Sequence, residues 1–545
     1  MSKERKHPKA LPFLFFTEMW ERFGYYLMIG IFLLYLKNVE QGFAMTNSEA
    51  SDLYGTFIAL VFLTPFIGGL LADRYFGYRK SIIAGGLMMG VGYCLMAVHS
   101  LPMLYVSMAF VIFGNGFFKP NISTLLGNVY STPKYESRKD DGYNIFYMGI
   151  NIGAFVCNFF SAAIIIIWGW KYAFVAAGIG MFIGVVIFII GTKHYKEADV
   201  KKEMSKEDMP FGRIVLTILV PSIVAGILGW LIPGSLLGSD SNDAFIFACI
   251  PVIYFYATLY IKASPSEKRP IAALLGIFAA VIMFWAVFKQ NGTALTIWAE
   301  SYTSRDVSGV TGKVFNSLSL AEQIPYEKDS VYLYDSQFRL QKENGVALKE
   351  FGYHPYFKNV PKDKLPAEGQ TASLWSTPIS QSMNPFWVII LTPLVVGFFG
   401  ILRKKGKEPS TPTKIAFGLI ISALSVLVMV WAANATNNGA EKASTWWLMA
   451  TYGVVTIGEL LLSPMGLSLV SKLSPVRITA LMMGGWFLST SIGNKLSGIL
   501  STLWDGYENK ASFFWVNFVL LIIATLILFS MLKWLNKIMK EKGVH

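Results

Sequence analysis

The feature that most limits what this chain can fold into is the recurrence, along nearly its whole length, of apolar runs about 20 residues long. A helix of that length crosses the hydrocarbon core of a bilayer. The runs lie at about 11–36, 50–72, 80–98, 101–127, 142–167, 171–191, 213–232, 244–262, 271–299, 383–402, 413–434, 444–470, 478–500 and 511–533. They predict fourteen transmembrane helices and an all-α membrane protein. Composition agrees, since 54% of the 545 residues are hydrophobic and 15% are charged, against about a quarter charged in soluble domains.

The net charge of +13 sits in short connections: "RYFGYRK" (74–80), "KYESRKDD" (134–141), "KHYKEADVKKEMSK" (193–206), "KASPSEKR" (262–269), "RKKGK" (403–407) and "KWLNKIMKEK" near the carboxyl terminus. The alternate connections, "GSDSND" (238–243) and "NATNNGAE" (434–441), are poor in Lys and Arg. That asymmetry follows the positive-inside rule and puts both termini in the cytoplasm, with no reason to expect nucleic acid as a partner. "MSKERKHPKA" lacks a small-residue cleavage site and reads as a retained cytoplasmic tail. Cys94, Cys157 and Cys249 have no paired spacing, so neither a disulfide, a metal nor another cofactor is expected. No nucleophile–base constellation points to an enzyme.

Residues 300–382 carry nine basic and ten acidic side chains. By the alternation they lie outside, and loops this long are exempt from the charge rule. "VYLYDSQFRLQ" (331–341) alternates enough for a strand or hairpin. The loop is either a small ordered extracytoplasmic cap or a disordered insertion.

Charged and polar groups inside the apolar runs carry the chemistry. In "FFTEMWERFGYY" (15–26), Glu18, Glu21, Arg22, Tyr25 and Tyr26 fall on one helical stripe. Charge facing lipid costs roughly 2.5–3.5 kcal/mol per residue, so the stripe faces the protein interior or a wet cavity. Either it is an ion-pair cluster joining helices or it is a titratable proton or substrate site. Lys119 in "FGNGFFKPNIS" sits beside Pro120 and needs a carboxylate partner, for which Glu21 is the natural candidate. Asn151, Asn384 and Glu459 each place one polar side chain in an apolar helix, while Trp486 is either ordinary membrane or interfacial packing or part of a cavity wall. Each alone could join helices; together they suggest the lining of a polar cavity.

"GGLLADRYFGYRKS" (68–81) is similar to the signature loop of the major facilitator superfamily. That resemblance implies a cytoplasmic gating latch of Asp73, Arg74, Arg79 and Lys80. "EMWERFGYY", "FGNGFFKPNIS" and "FYMGINIGAF" resemble the first-, fourth- and fifth-helix motifs of the proton-dependent oligopeptide transporter family. "QSMNPFWVIILTPL", "GELLLSPMGLSL" and "WFLSTSIGN" look like its eighth, tenth and eleventh helices.

The resemblance implies a major facilitator fold of two six-helix bundles (1–195 and 269–535), an extra helix pair within 196–268, the 300–382 insertion and a tail at 536–545. It implies a multi-pass protein of the bacterial cytoplasmic membrane that imports di- and tripeptides with protons, by alternating access around a midplane site. Glu18, Glu21, Arg22 and Lys119 would couple protons. Lys119 would meet the peptide carboxylate and Glu459 its amino terminus, aided by Asn151 and Asn384, with Tyr25, Tyr26 and Trp486 bordering the site.

Three positions depart from that family's pattern. Ile29 stands where many members have an arginine, Lys289 in "FWAVFKQNG" where they have an acid, and Phe62 where a cavity tyrosine is common. Lys289 is expected to face the cavity and pair with a first-helix glutamate or an acidic group of the substrate, unless it snorkels to an interface. With Lys289 there, proton coupling rests more heavily on Glu18 and Glu21 or is weakened; separate alternatives are a same-fold transporter of another small solute and a non-transporting sensor that uses the 300–382 loop. A histidine-based nitrate site is disfavoured, because no histidine lies on the first-helix stripe.

Overall fold

A computed structural model describes residues 6–200, 210–475 and 478–541. The long helices are α1 Ala10–Lys37, α2 Asn47–Leu71, α3 Tyr78–Met96, α4 Leu101–Tyr130, α5 Lys139–Trp168, α6 Trp170–Gly191, α7 Gly212–Trp230, α8 Asp240–Ile261, α9 Pro265–Ser301, α10 Met383–Lys404, α11 Thr411–Ala435, α12 Thr445–Leu473, α13 Thr479–Thr502 and α14 Lys510–Glu541. Among the described residues, eleven helices are long and apolar enough to cross a membrane. The three outside that set are α1, α3 and α13. Polarity explains why: α1 holds Glu18, Glu21 and Arg22, α3 is rich in glycine, and α13 carries serines, threonines, Asn494 and Lys495.

Helices α1 to α6 pack mainly with one another, α9 to α14 likewise, and α7 pairs with α8. The two sets meet along α2 and α13. A side chain at Gly55 would collide with the backbone of Gly498, so these helices touch main chain to main chain. Asn158 Nδ2 on α5 donates to Ser382 Oγ just before α10 (3.1 Å), which ties the sets together on another side.

Several boundaries have visible causes. Thr46 and Glu49 form a capping box that starts α2, and Ser264 with Glu267 does the same for α9. α14 runs on past residue 535, where the sequence suggests a tail. Leu535, Ile538 and Met539 are buried there, and Arg269 meets Glu541 at 3.6 Å. α9 breaks into a tight turn over Lys289–Gly292 before resuming at Ala294. Side chains bridge the break: Gln290 Nε2 donates to Asn517 Oδ1 (2.7 Å), and Gln381 Nε2 donates to the Asn291 carbonyl (2.8 Å).

The insertion between α9 and α10 is ordered. β1 (Thr303–Ser304) pairs in parallel with Ala443–Ser444, just before α12. β2 (Ala321–Pro325) runs antiparallel to Thr371–Trp375, and β3 (Asp329–Tyr332) to Lys349–Gly352. The stretch 331–341 holds the end of β3, then a turn closed by a Tyr334–Leu340 bridge, with Phe338 at φ 59°. Ile324, Tyr356, Phe357, Ala372 and Leu374 form a separate small core. The disordered alternative is set aside by this arrangement. Between the insertion, the end of α1 and the start of α2 lies a cleft of about 880 Å³.

Candidate functional site

The stripe on α1 is buried. Glu18, Glu21 and Arg22 are 3%, 0% and 3% exposed, values too low for side chains meeting lipid or bulk water. Arg22 holds both glutamates. Its Nη2 donates to Glu21 Oε1 at 2.5 Å, its Nε pairs with the other Glu21 oxygen, and Glu18 Oε1 lies 3.4 Å from the same Nε. The guanidinium also covers the rings of Tyr25 (5.0 Å) and Tyr26 (5.9 Å). Glu18 Oε2 is buried with no hydrogen-bond partner among the described residues. A carboxylate oxygen in that condition is a place for a proton.

Lys119 reaches in from α4 beside Pro120, but no Glu21–Lys119 ion pair forms among the described residues. Its ammonium instead lies 4.5 Å from the centre of the Phe62 ring on α2. It remains close enough for the charges of Arg22, Glu21, Glu18 and Lys289 to act on it. Lys289, at the break in α9, does not snorkel to an interface. Its ammonium sits 5.0 Å from the same Phe62 ring, 5.6 Å from Trp285 and 5.7 Å from Phe288. Neither of its expected partners on α1 is in contact with it, and the carboxylate whose charge acts on it is Glu459.

Glu459 on α12 is held from α10. Asn384 Nδ2 donates to Glu459 Oε2 (3.1 Å) and to Thr456 Oγ1 (2.9 Å), so the amide fixes the carboxylate on its own helix face. Asn151 does not join this group: its amide donates to the Tyr147 carbonyl one turn back (3.1 Å). Trp486 is also apart. Its ring is buried against Phe278 (6.3 Å) and lies flat over Gly466, where any side chain would collide with it.

The predicted latch is partly described. The side chains of Asp73 and Arg74 lie outside the described residues. Gly77 takes a φ of 79° that lets the chain turn into α3. The first amides of α3 are met by Asp199, whose Oδ1 accepts from Tyr78 N (2.7 Å) and Arg79 N (3.3 Å). Lys80 is exposed, and Arg79 Nε has no described partner. Asp199 was not expected there.

A second charged cluster was also missed. Lys495 on α13 is buried and donates to Asp52 Oδ1 on α2 (2.6 Å), Thr56 Oγ1 (2.7 Å) and Ser241 Oγ on α8 (2.9 Å). Ser241 Oγ in turn donates to the Asp52 carboxylate (2.7 Å). The signal was available: a lysine deep in an apolar helix needs a partner.

Residues 79–319 and 376–517 match the model of the POT family. Over 535 residues the chain is 29% identical to the uncharacterized transporter YclF of Bacillus subtilis, covering 96% of this chain and 93% of the relative. It is 28% identical over 547 residues to a di-/tripeptide transporter of Lactococcus lactis subsp. lactis, covering 98% and 97% of the two chains. Among solved structures, a mutant of peptide transporter POT crystallised with alafosfalin is similar at a TM-score of 0.75 and 28% identity, over 98% of this chain and 96% of that one.

Proposed function

Because this chain belongs to the POT family, we propose that it is a proton-coupled symporter that imports di- and tripeptides by alternating access around the space between α1, α4, α9 and α12. The reading takes α1–α6 and α9–α14 as its two bundles, fourteen passes in all. It puts both termini on the cytoplasmic side of a bacterial inner membrane and the 300–382 cap outside. The basic connections support that orientation, and the relatives named for di- and tripeptides support the cargo.

The observation that carries the reading is the separation of charge. Two cations that have no ion-pair partner among the described residues, Lys119 and Lys289, approach from α4 and α9, and a fixed carboxylate, Glu459, approaches from α12. A peptide is a zwitterion whose termini stay the same whatever its side chains. A site with one cation for the carboxylate and one anion for the ammonium therefore accepts many sequences. Lys119 takes the carboxylate and Glu459 the amino terminus; Tyr25 and Tyr26 shape the wall between.

Coupling follows from charge balance. Glu18, Glu21, Arg22 and Lys119 together are neutral, with two carboxylates against two cations. A peptide carboxylate arriving at Lys119 adds one negative charge in a region of low dielectric, where an unbalanced charge is costly. A proton on Glu18 or Glu21 restores neutrality at this end of the cavity, while the peptide ammonium beside Glu459 leaves the charge of Lys289 unbalanced at the other. Peptide and proton are thus favoured together, which is what symport requires.

The test is uptake of a labelled dipeptide into proteoliposomes, with and without an inward acid gradient. Uptake raised several-fold by the gradient, and lost in Glu459→Gln and Lys119→Ala, is expected. Gradient-independent uptake would remove the proton from the mechanism, and no uptake at all would remove the peptide.

A further inference from the structure

Two lysines from different helices share one aromatic ring. Lys119 Nζ is 4.5 Å and Lys289 Nζ 5.0 Å from the centre of Phe62, so the ammonium groups lie within about 10 Å of one another. Neither has a carboxylate or hydrogen-bond partner among the described residues. Cations this near repel each other, and the ring answers only part of their charge. Glu459, the carboxylate that approaches from α12, is already bound to Asn384. We propose that Lys119 and Lys289, gathered at Phe62, form a two-cation seat that takes the terminal carboxylate on Lys119 and a second anionic group on Lys289, so that the cavity selects peptides bearing a side-chain carboxylate beside the terminal one. The inference rests on the reading of the chain as a peptide transporter and names its substrate class.

The charge count of the occupied cavity supports it. Arg22, Lys119 and Lys289 stand against Glu18, Glu21 and Glu459, three cations to three anions. A neutral dipeptide with one proton leaves the filled cavity at +1. A dipeptide with one acidic side chain and the same proton leaves it neutral. In a water-poor cavity the neutral combination is favoured. The geometry agrees with the count: the peptide carboxylate engages Lys119, Glu459 engages the ammonium, and Lys289 is left for a carboxylate one side chain away. Phe62 donates no hydrogen bond, so it does not compete with the lysines for the anion.

The experiment compares Ala-Glu with its uncharged isostere Ala-Gln at pH 7, by direct binding to the full-length protein in detergent and by competition for uptake. Ala-Glu is expected to bind the parent protein ten- to a hundred-fold more tightly, the range a charge-assisted hydrogen bond supplies. In Lys289→Gln the ratio should fall to about one, and in Lys289→Arg it should persist. A ratio near one in the parent overturns the proposal without any variant being needed, and so does a ratio that survives in Lys289→Gln. If Ala-Gln is transported and bound as well as Ala-Glu, the seat is wrong while the peptide reading stands. If neither peptide binds, the peptide reading falls and takes the seat with it.

Discussion

Arg22 is the residue on which the first helix depends most, because it is the ion-pair partner of two buried carboxylates. Replacing it with methionine leaves Glu18 and Glu21 facing each other without a cation. Removing one partner of a buried charge pair costs about 3–5 kcal/mol, so Arg22→Met should unfold several degrees earlier in detergent by scanning fluorimetry. Glu21→Gln added to it should recover part of the loss. At the surface, Arg403 Nε and Lys414 Nζ each donate to Glu408 at 2.6 Å, and these bonds hold its carboxyl down to about 2. A depressed carboxyl stabilises the fold above its ordinary range, and that contribution fades as pH falls from about 4.5. The expected loss is about 1 kcal/mol or less, since surface pairs are screened. Thermal unfolding of Glu408→Gln against the parent between pH 5 and 3 should show the parent alone losing this increment. How much of the site the sequence discloses also depends on residue type. A charge in an apolar run is conspicuous, so Glu18, Glu21, Arg22, Lys119, Lys289 and Glu459 could all be picked out. An amide is not. Asn151 and Asn384 look alike in sequence, and only the fold separates the one bonded to its own helix from the one that crosses to Glu459.

Elements were legible to within a few residues where hydropathy changes sharply, as at α4, α6 and α10. They were less so where helical propensity outlasts the apolar run, as in α14 beyond residue 535. What one-dimensional patterning could not supply was the partnership between elements. Lys495 was visible as a lysine in a predicted membrane helix, yet its partner Asp52 lies 443 positions away on α2, and Ser241 comes from α8. This cluster fastens α2, α8 and α13 at one point, which gives the α7–α8 pair a physical link to the contact between the two sets of helices. Lys495→Met should lower the unfolding temperature by several degrees. In a cycle with Asp52→Asn the coupling energy should lie at about 0.5–3 kcal/mol. A coupling near zero would mean that the cluster merely fills space.

At the scale of the whole molecule, a ligand that binds the folded state alone stabilises it by mass action. At a hundred times its dissociation constant a dipeptide should contribute about 2.7 kcal/mol. Unfolding in detergent should shift upward with dipeptide and less with the free amino acids, whose carboxylate and ammonium are separated by a single Cα. The break in α9 then takes on a mechanical meaning. Over Lys289–Gly292 the α-helical ladder gives way to a tighter turn; the Asn291 carbonyl is met by Gln381, and the Gln290 side chain is tied to Asn517. Bending there sacrifices little that a straight rod would have to give up. Lys289 rides on that joint, so on the proposed reading a substrate anion gripping the ammonium would pull on the point where the rod is easiest to swivel, with the segment beyond Ala294 and the 300–382 insertion as the lever arm.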